Sequence, residues 1–310
     1  MPGERKYGQD HGHYTWSPIT TRPALRWPDH ARVALCVIVN LEHFDWVMPP
    51  EAPRPVTPLG GRPGGFGSGG GRYPDIAGYS QREYGNRVGV FRILRVLDKH
   101  GVKPTVAMDR TIAEHYPYLV KEVRESGVEV IAHGASARQI IHAGMSEAEE
   151  RAYIRESVEA VAKATGRRPV GWSSPDFQES VNTPELLAAE GIRYVCDWSN
   201  DEQPYRMTVK SGELYSLGVD LDLDDIALHF NGGRLIGEYG QIIRDTFDGL
   251  YRDGATSGRV MVLNVHPWVM GHPWRIKYLD QALAHIDGYA GVWKASGQEI
   301  VDWYAAQGAK

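Results

Sequence analysis

Cysteine is scarce in this sequence. Only two cysteines occur among 310 residues, and both Cys36 and Cys196 lie inside apolar runs, VALCVIV and IRYVCDW. A small secreted domain that is held together by disulfides carries many more cysteines, so a disulfide framework is excluded as the basis of the fold. We therefore expect two buried thiols in a reducing compartment.

Long hydrophobic runs and excess positive charge are also missing. No apolar stretch approaches the roughly 20 residues that a membrane-spanning helix needs. The first residues, MPGERKYGQDHGHYTWSP, contain no apolar segment of the kind found in signal peptides. The formal net charge of -5 argues against a surface built to bind nucleic acid. These absences predict a cytoplasmic protein with neither a membrane nor a nucleic-acid partner.

What the chain does have is a repeated alternation of apolar strands and amphipathic helices. The run ARVALCVIVNLEHF at 31–44 is typical of a strand that is covered on both faces, and apolar residues at 79–101 follow helical spacing. About seven such units follow one another, which indicates a parallel α/β barrel. We predict one domain over 1–310, a distorted (β/α) barrel of about seven parallel strands with an irregular N-terminal arm at 1–31.

Two helices show how local signals set these boundaries. The segment 110–127 is predicted as one helix that Gly127 closes. The segment 146–166 is predicted as an amphipathic helix that begins at Ser146, with Glu149 three residues later as the partner in a capping box.

A glycine-rich segment at 59–73, LGGRPGGFGSGGGRY, contains eight glycines and cannot form a regular element. Two interpretations remain open for it. It is either a surface loop without a role or a mobile lid over a site.

Polar residues follow several predicted strands at the point where each strand ends. Glu42, His133, Asp197 and His266 all come directly after apolar runs. In parallel barrels the loops at this end of the strands carry the chemistry. A single histidine there is commonly structural, but several polar residues at equivalent positions indicate a site. Tryptophans at the same predicted rim favour an enclosed pocket that contains little water; they are Trp46, Trp172, Trp198 and Trp268.

These strand-end segments, in this order, resemble the polysaccharide deacetylase (NodB-homology) superfamily. The resemblance runs from about residue 14 to the end, and its most specific piece is TPELLAAEGIRYVCDWSNDEQPY, at 183–205. Within the superfamily the chain is most similar to metal-independent ring-opening amidohydrolases, the cofactor-independent allantoinases and cyclic imide hydrolases. The resemblance implies a NodB-type barrel, a hydrolase of C–N bonds other than peptide bonds, and a homodimer or homotetramer.

The metal-binding motifs of that superfamily are altered here. Metal-dependent members carry an H-x-x-x-H stretch, and this chain has His133 followed four residues later by Ala137. Where those members have two adjacent aspartates, this chain has NLEHFD, with Asn40 and Glu42. A catalytic zinc normally takes three protein ligands. We therefore expect no cofactor; if Zn²⁺ were bound, Glu42 and His133 would hold it, with His43 or His142 as further ligand candidates.

Hydrolysis of an amide needs an activated water, stabilisation of the oxyanion and a proton for the leaving nitrogen. Glu42 is the candidate general base, with a pKa raised by burial among aromatic residues; a salt bridge to an arginine is the alternative. His133 and His266 are the candidates for positioning water and donating the proton.

Six further residues are candidates for binding the substrate. Arg87 offers a planar donor fork for a carbonyl or ureide oxygen, unless it forms an ion pair with Glu83 or Glu42. The other five are Tyr84, Trp172, Ser174, Trp198 and His272.

Three hypotheses for the function follow. The first is an amidohydrolase that opens a small cyclic amide, such as a cyclic imide, a hydantoin or allantoin, without a metal. Its chemistry is consistent, because ring strain and a second carbonyl make such substrates easier to attack than an N-acetyl sugar. The second is a metal-dependent polysaccharide or peptidoglycan N-deacetylase. The third is a catalytically inactive barrel that binds a small ligand.

Overall fold

The strand β1, Val33–Leu41, runs through the middle of the sheet, and all nine of its residues are buried. The structure is a computed structural model that describes residues 11–47 and 76–308. Side chains at alternate positions of β1 enter two different core clusters, Leu35 and Val37 on one face and Cys36 and Ile38 on the other. A strand that is covered on both faces carries apolar residues at every position, as this one does.

Eight further strands complete the sheet. They are β2 Thr105–Met108, β3 Glu129–Ala132, β4 Gly171–Trp172, β5 Tyr194–Val195, β6 Tyr205–Arg206, β7 Tyr215–Ser216, β8 Arg259–Val265 and β9 Val292–Lys294. The order is β6-β7-β5-β4-β3-β2-β1-β8, and β9 pairs with the first residues of β1. All pairs are parallel except β6 with β7.

The predicted parallel α/β architecture is confirmed, as a curled sheet that forms a half-barrel. In the part of the chain that the structure describes, no ladder joins β8 to β6, so the curl stays open between these two edges. The sequence did not reveal β6 and β7, which are each two residues long.

The helices cover the outside of this sheet. They are α1 Ile76–Tyr84, α2 Val90–Lys99, α3 Arg110–His115, α4 Pro117–Ser126, α5 Glu147–Thr165, α6 Thr183–Ala189, α7 Ile236–Asp253, α8 Pro267–Met270, α9 Ile276–Asp287 and α10 Gly297–Ala306. A π-helical segment, Gly85–Gly89, joins α1 to α2.

The capping box before α5 is confirmed. Ser146 accepts a hydrogen bond from the backbone N–H of Glu149, whose carboxylate in turn accepts one from the backbone N–H of Ser146. The single helix predicted over 110–127 is wrong, since it breaks into α3 and α4 at Tyr116. Proline has no N–H to donate and disfavours helical backbone at the preceding residue, so Pro117 begins a new helix.

The π-helical segment allows α8 to approach α1 and α2 closely. A Cβ atom on Gly89 would lie 2.1 Å from the carbonyl oxygen of Pro267, and one on Gly85 would lie 2.5 Å from the backbone nitrogen of Trp268. Only glycine permits this contact. It brings the segment after β8 against the segment after β1.

The remaining expectations concern the arm and the loop. Residues 11–31 form an irregular arm whose regular structure is limited to two short 3₁₀ turns, Ile19–Thr21 and Pro28–His30. The glycine-rich segment 59–73 lies outside the described residues. No helix in the described ranges is both long and apolar enough to cross a membrane.

Candidate active site

Three polar side chains meet at the carboxyl end of the central strands. Glu42 follows β1, His133 follows β3 and His266 follows β8. The parallel register aligns these ends, because Leu41 pairs with Met108, Met108 pairs with Ala132, and Val39 pairs with Val265. The structure therefore brings together the three residues that the sequence proposed as catalytic.

Glu42 lies between the two imidazoles. Its Oε1 is 3.2 Å from His133 Nε2, and its Oε2 is 3.9 Å from His266 Nε2. The side chains are 12%, 4% and 7% exposed for Glu42, His133 and His266. Charges that are this well buried interact more strongly than charges at the surface.

The hydrogen bonds of His133 place its protons. Its Nδ1 is 2.7 Å from the carbonyl oxygen of Ser173, and a carbonyl only accepts, so Nδ1 carries a proton and donates. Its Nε2 faces the carboxylate of Glu42, which also accepts. That second contact is attractive only when a proton lies between Nε2 and Oε1. The pair therefore shares a proton in addition to the one on Nδ1.

His266 has its own carboxylate, Asp225. The Nδ1 of His266 donates to Asp225 Oδ1 at 2.6 Å, and the backbone N–H of His266 donates to Asp225 Oδ2 at 2.9 Å. Burial alone would lower the pKa of His266, but Asp225 and Glu42 outweigh it and raise that pKa to about 9. Burial raises the pKa of Asp225 to about 6, although His266 opposes this rise. His266 is therefore an imidazolium at neutral pH.

Asp225 was not predicted from the sequence, because it does not follow a strand. It follows a 3₁₀ turn, Leu221–Leu223, and precedes a π-helical segment, Ile226–Asn231. The available signal was the adjacent acidic pair in LDLDDIA, at 221–227. The other acid of this pair, Asp224, accepts hydrogen bonds from Asn264 Nδ2 and from the backbone N–H of Ala227.

The pKa expected for Glu42 is wrong. Burial would raise this pKa, as the sequence suggested, but His266, the hydrogen bond from His133 and the charge of Arg82 together lower it to about 2. The sequence did not reveal that two imidazoles flank the carboxylate. Glu42 is ionised throughout the neutral range.

The arginine near Glu42 is Arg82 and not Arg87. Arg87 has an exposed side chain, whereas Arg82 is buried with its guanidinium 4.2 Å from the ring centre of Phe44 and 4.4 Å from that of Trp268. These aromatic faces hold the cation close to Glu42. Asn86 adds a further contact by donating to the backbone carbonyl of Glu42 at 2.9 Å.

The other proposed binding residues have different surroundings. Trp172 is fully buried and its Nε1 donates to Ser174 Oγ at 2.8 Å, so its ring has no exposed face on which a substrate could stack. Tyr84 and His272 stack on each other with ring centres 4.2 Å apart, where α1 meets the loop after α8. Trp198 is half-buried, and its Nε1 donates to Glu179 Oε1.

Comparisons with known proteins identify the architecture. A sequence model of the family described as "Polysaccharide deacetylase" matches residues 79–195. A putative polysaccharide deacetylase of Schizosaccharomyces pombe is 28% identical over 319 residues, which cover 94% of both chains. The chain carries a polysaccharide deacetylase (NodB) domain.

Further relatives of this polysaccharide deacetylase domain agree. A peptidoglycan deacetylase of Helicobacter pylori is 28% identical and covers 71% of this chain and 84% of its own. The crystal structure of a probable polysaccharide deacetylase from Pseudomonas aeruginosa PAO1 superposes with a TM-score of 0.79 at 26% identity, over 93% of this chain and 96% of that one. The structure of PuuE allantoinase shares the fold, with a TM-score of 0.80 at 23% identity, over 99% of this chain and 100% of that one. The protein is a hydrolase of C–N bonds.

The residues of this polysaccharide deacetylase domain do not supply the three-ligand metal set of metal-dependent members. Ala137, where the second histidine of the motif would stand, is a buried apolar residue. Asn40 donates from Nδ2 to Asn264 Oδ1 and to Val265 O, and its remaining Oδ1 is a neutral amide oxygen, which is a poor ligand for zinc. Glu42 and His133 remain, and they are hydrogen-bonded to each other.

One other cluster has ligand-like spacing. Within residues 11–47 and 76–308, the ligand atoms of Asp224, Asp225 and His266 lie within 4.8 Å of one another, and no other group of three does. These residues are buried, and their carboxylate oxygens already accept hydrogen bonds from His266, from the side chain of Asn264 or from the backbone. The donor set therefore does not match a catalytic zinc site, which needs three protein ligands and an open position.

The raised pKa of His266 predicts a pH dependence of stability. His266 holds its proton more tightly in the folded than in the unfolded protein, so its protonation stabilises the fold. This stabilisation is complete below the ordinary pKa of 6.5 and disappears as pH rises through about 9. We expect the free energy of unfolding to fall by up to about 3 kcal/mol across this window, at about 1.4 kcal/mol per pKa unit. Urea denaturation at several pH values measures it.

The control for this experiment is His266→Gln, which removes the titrating group. Its unfolding free energy is expected to change much less between pH 6.5 and 9.5 than that of the unmodified protein. Equal slopes for the two proteins would show that His266 is not an imidazolium in the folded state.

Proposed function

We propose that this hydrolase opens a small cyclic amide, such as a cyclic imide, a hydantoin or allantoin, without a metal ion. The observation that carries the proposal is the Glu42 carboxylate between two imidazoles, with His133 hydrogen-bonded directly to it. In metal-dependent members of the family the corresponding motif holds a metal with two histidines, and here Ala137 replaces the second one. The shared fold of PuuE allantoinase is compatible with a ring-amide substrate.

Glu42 and its neighbours supply the attacking water. An ionised carboxylate accepts a hydrogen bond from water and orients one lone pair of the water toward the substrate carbonyl carbon. Because its pKa is about 2, Glu42 is a weak base, so proton transfer accompanies the attack and does not precede it. The proton on His133 that faces Glu42 is available to the oxygen that becomes negative.

His266 supplies the proton for the leaving nitrogen. Its imidazolium is held by Asp225, and its Nε2 points toward Glu42. Water adds across the C–N bond, so that hydroxide joins the carbonyl carbon and a proton joins the ring nitrogen. Cyclic imides and ureides suit this site, since their second carbonyl stabilises the departing nitrogen and activates the carbon without a Lewis acid.

The names of the relatives favour a second candidate function, N-deacetylation of a polysaccharide or peptidoglycan. The proteins of Schizosaccharomyces pombe and Helicobacter pylori both carry such names. A metal-assisted version of that reaction needs ligands that this chain lacks at the corresponding motif positions. The altered ligand set therefore favours the ring-opening reaction.

A panel of substrates distinguishes the two functions. We expect protein that has been treated with EDTA and then dialysed to open at least one of succinimide, hydantoin and allantoin, measured by loss of ring absorbance and by mass spectrometry. Acetate release from chitooligosaccharides, with and without added Zn²⁺, is measured in parallel. Acetate release that requires Zn²⁺, together with no ring opening across the panel, would establish the deacetylase and reject our proposal.

A further inference from the structure

A pair of buried carboxyl groups lies behind His133 and has no part in the chemistry described above. Glu179 belongs to the loop after β4, and Asp197 follows β5. The two carboxyl groups lie close enough for each to change the pKa of the other. Glu179 Oε2 and Asp197 Oδ2 are buried, and with both groups ionised neither oxygen has a hydrogen-bond donor in the described part of the chain.

The contact between these two carboxyl groups requires a proton. Ionised carboxylates only accept hydrogen bonds, so one of the two must be protonated. Burial, reinforced by the negative charge of Asp197, raises the pKa of Glu179 to about 10. Burial also raises the pKa of Asp197, but hydrogen bonds from Ser174 oppose the rise. Glu179 therefore holds the proton, and Asp197 carries the charge.

Other groups around the pair reinforce this assignment. The negative charge of Glu150 on α5 further favours protonated Glu179 by raising its pKa, and it acts against the hydrogen bond that Trp198 Nε1 donates to Glu179 Oε1 at 3.1 Å, which lowers that pKa. On the other side, the positive charge of His133 favours ionised Asp197 by lowering its pKa. The anionic end of the pair is thus the end toward the site.

A single peptide group connects Asp197 to His133. The N–H of Ser174 donates to Asp197 Oδ1 at 2.8 Å, and the carbonyl oxygen of Ser173 accepts from His133 Nδ1 at 2.7 Å. These two atoms belong to opposite ends of one peptide unit. A negative charge at its N–H end polarises the unit and makes its oxygen a stronger acceptor, because hydrogen bonds in a chain reinforce one another.

We propose that Asp197, held by protonated Glu179, is a positioning residue that acts on His133 through the Ser173–Ser174 peptide group. It keeps the proton on His133 Nδ1 and directs Nε2 at Glu42. This inference deepens the proposed ring-opening site, on which its kinetic consequence rests, whereas the hydrogen-bond chain itself does not depend on any substrate.

Nuclear magnetic resonance of histidine-labelled protein tests the hydrogen-bond chain directly. The Nδ1–H resonance of His133, assigned by its loss in His133→Gln, is expected far downfield and slow to exchange. In Asp197→Asn the side chain is neutral, so we expect this proton to move upfield by about 1 ppm or more and to exchange faster. The kcat for ring opening is expected to fall about tenfold with little change in KM, the effect of weakening one charge-assisted hydrogen bond.

Two variants of Glu179 separate positioning from simple packing. Glutamine at this position can still donate to Asp197, whereas alanine cannot. We therefore expect Glu179→Gln to keep most of the kcat and a His133 Nδ1–H chemical shift near that of the unmodified protein, and Glu179→Ala to change both. If Asp197→Asn does not fold, the comparison of these two variants still tests whether the carboxyl pair positions His133.

The matched control is Glu150→Gln. Glu150 is another buried carboxylate and holds the same loop through Ser180 and Thr183, but it does not contact the Ser173–Ser174 peptide. The charge of Glu150 is only a minor cause of the raised pKa of Glu179, which is due mainly to burial, so we expect Glu150→Gln to lower stability and to move the His133 resonance little. If the Asp197 and Glu179 variants leave that resonance unmoved, or move it no more than Glu150→Gln does, the inference is overturned. If the resonance moves as expected but no ring is opened, only the proposed function fails.

Discussion

Glu42→Gln is expected to lower kcat for ring opening by about 10²–10⁴-fold, the contribution typical of a positioned acid–base group. Glutamine keeps the size of the side chain but has no charge, so it orients the attacking water poorly and accepts no proton. It also leaves the imidazolium of His266 without one of its two carboxylate neighbours. Steady-state kinetics on the substrate found in the panel measures the loss.

The matched control for this variant is Asp45→Asn. Asp45 lies three residues further along the same segment, and its carboxylate accepts hydrogen bonds from Ser136 and Gln139, whereas that of Glu42 faces the two imidazoles. We expect it to retain kcat within about threefold. A Glu42→Gln variant with nearly unchanged kcat would show that Glu42 does not participate. Ligand binding without turnover in both the unmodified protein and the variant would instead identify an inactive binding barrel.

Asp225→Asn is expected to produce a loss of similar size, about 10²–10⁴-fold in kcat. The amide cannot stabilise the imidazolium, and it can reverse its hydrogen bond and hold the wrong tautomer of His266. The pKa of His266 then falls from about 9 toward its ordinary value. The alkaline limb of the kcat profile, which reports the loss of this acid, is therefore expected to move toward neutral pH.

Asp224→Asn is the control for that experiment. Asp224 is the adjacent acid and is equally buried, but its carboxylate accepts from Asn264 and Ala227 and not from His266. We expect a smaller loss of kcat and an alkaline limb that moves by much less. An identical shift in the two variants would show that general negative charge, and not the specific contact between Asp225 and His266, sets the acidity.

The sequence predicted a helix or a strand where residues close together in the chain are sufficient to determine it. The capping box of Ser146 and Glu149 marked the start of α5, because both partners lie within one helical turn. The apolar run of β1 predicted a strand that is covered on both faces. The same reasoning failed at Tyr116, where Pro117 ends one helix and begins another, although this signal was visible in the sequence.

The choice between Arg82 and Arg87 shows where local periodicity is insufficient. Both arginines lie in the predicted helix 79–101, but the π-helical turn over Gly85–Gly89 changes which side chains face inward. That turn allows α8 to pack against the two glycines. The residues that pack against this turn belong to α8, far along the chain, so periodicity within 79–101 does not reveal which arginine faces inward.

The sequence by itself determined the class of fold, the strand ends that carry polar residues, and the replacement of a metal-binding histidine by Ala137. Periodicity and residue identity are sufficient for the first two conclusions, and the third follows from the resemblance to the polysaccharide deacetylase superfamily. Only the tertiary structure decided the charge states: an ionised Glu42 between two imidazoles, a protonated His266 on Asp225, and a shared proton on His133. The physical reason is that a pKa depends on burial and on neighbours in space, and these neighbours come from strands far apart in sequence.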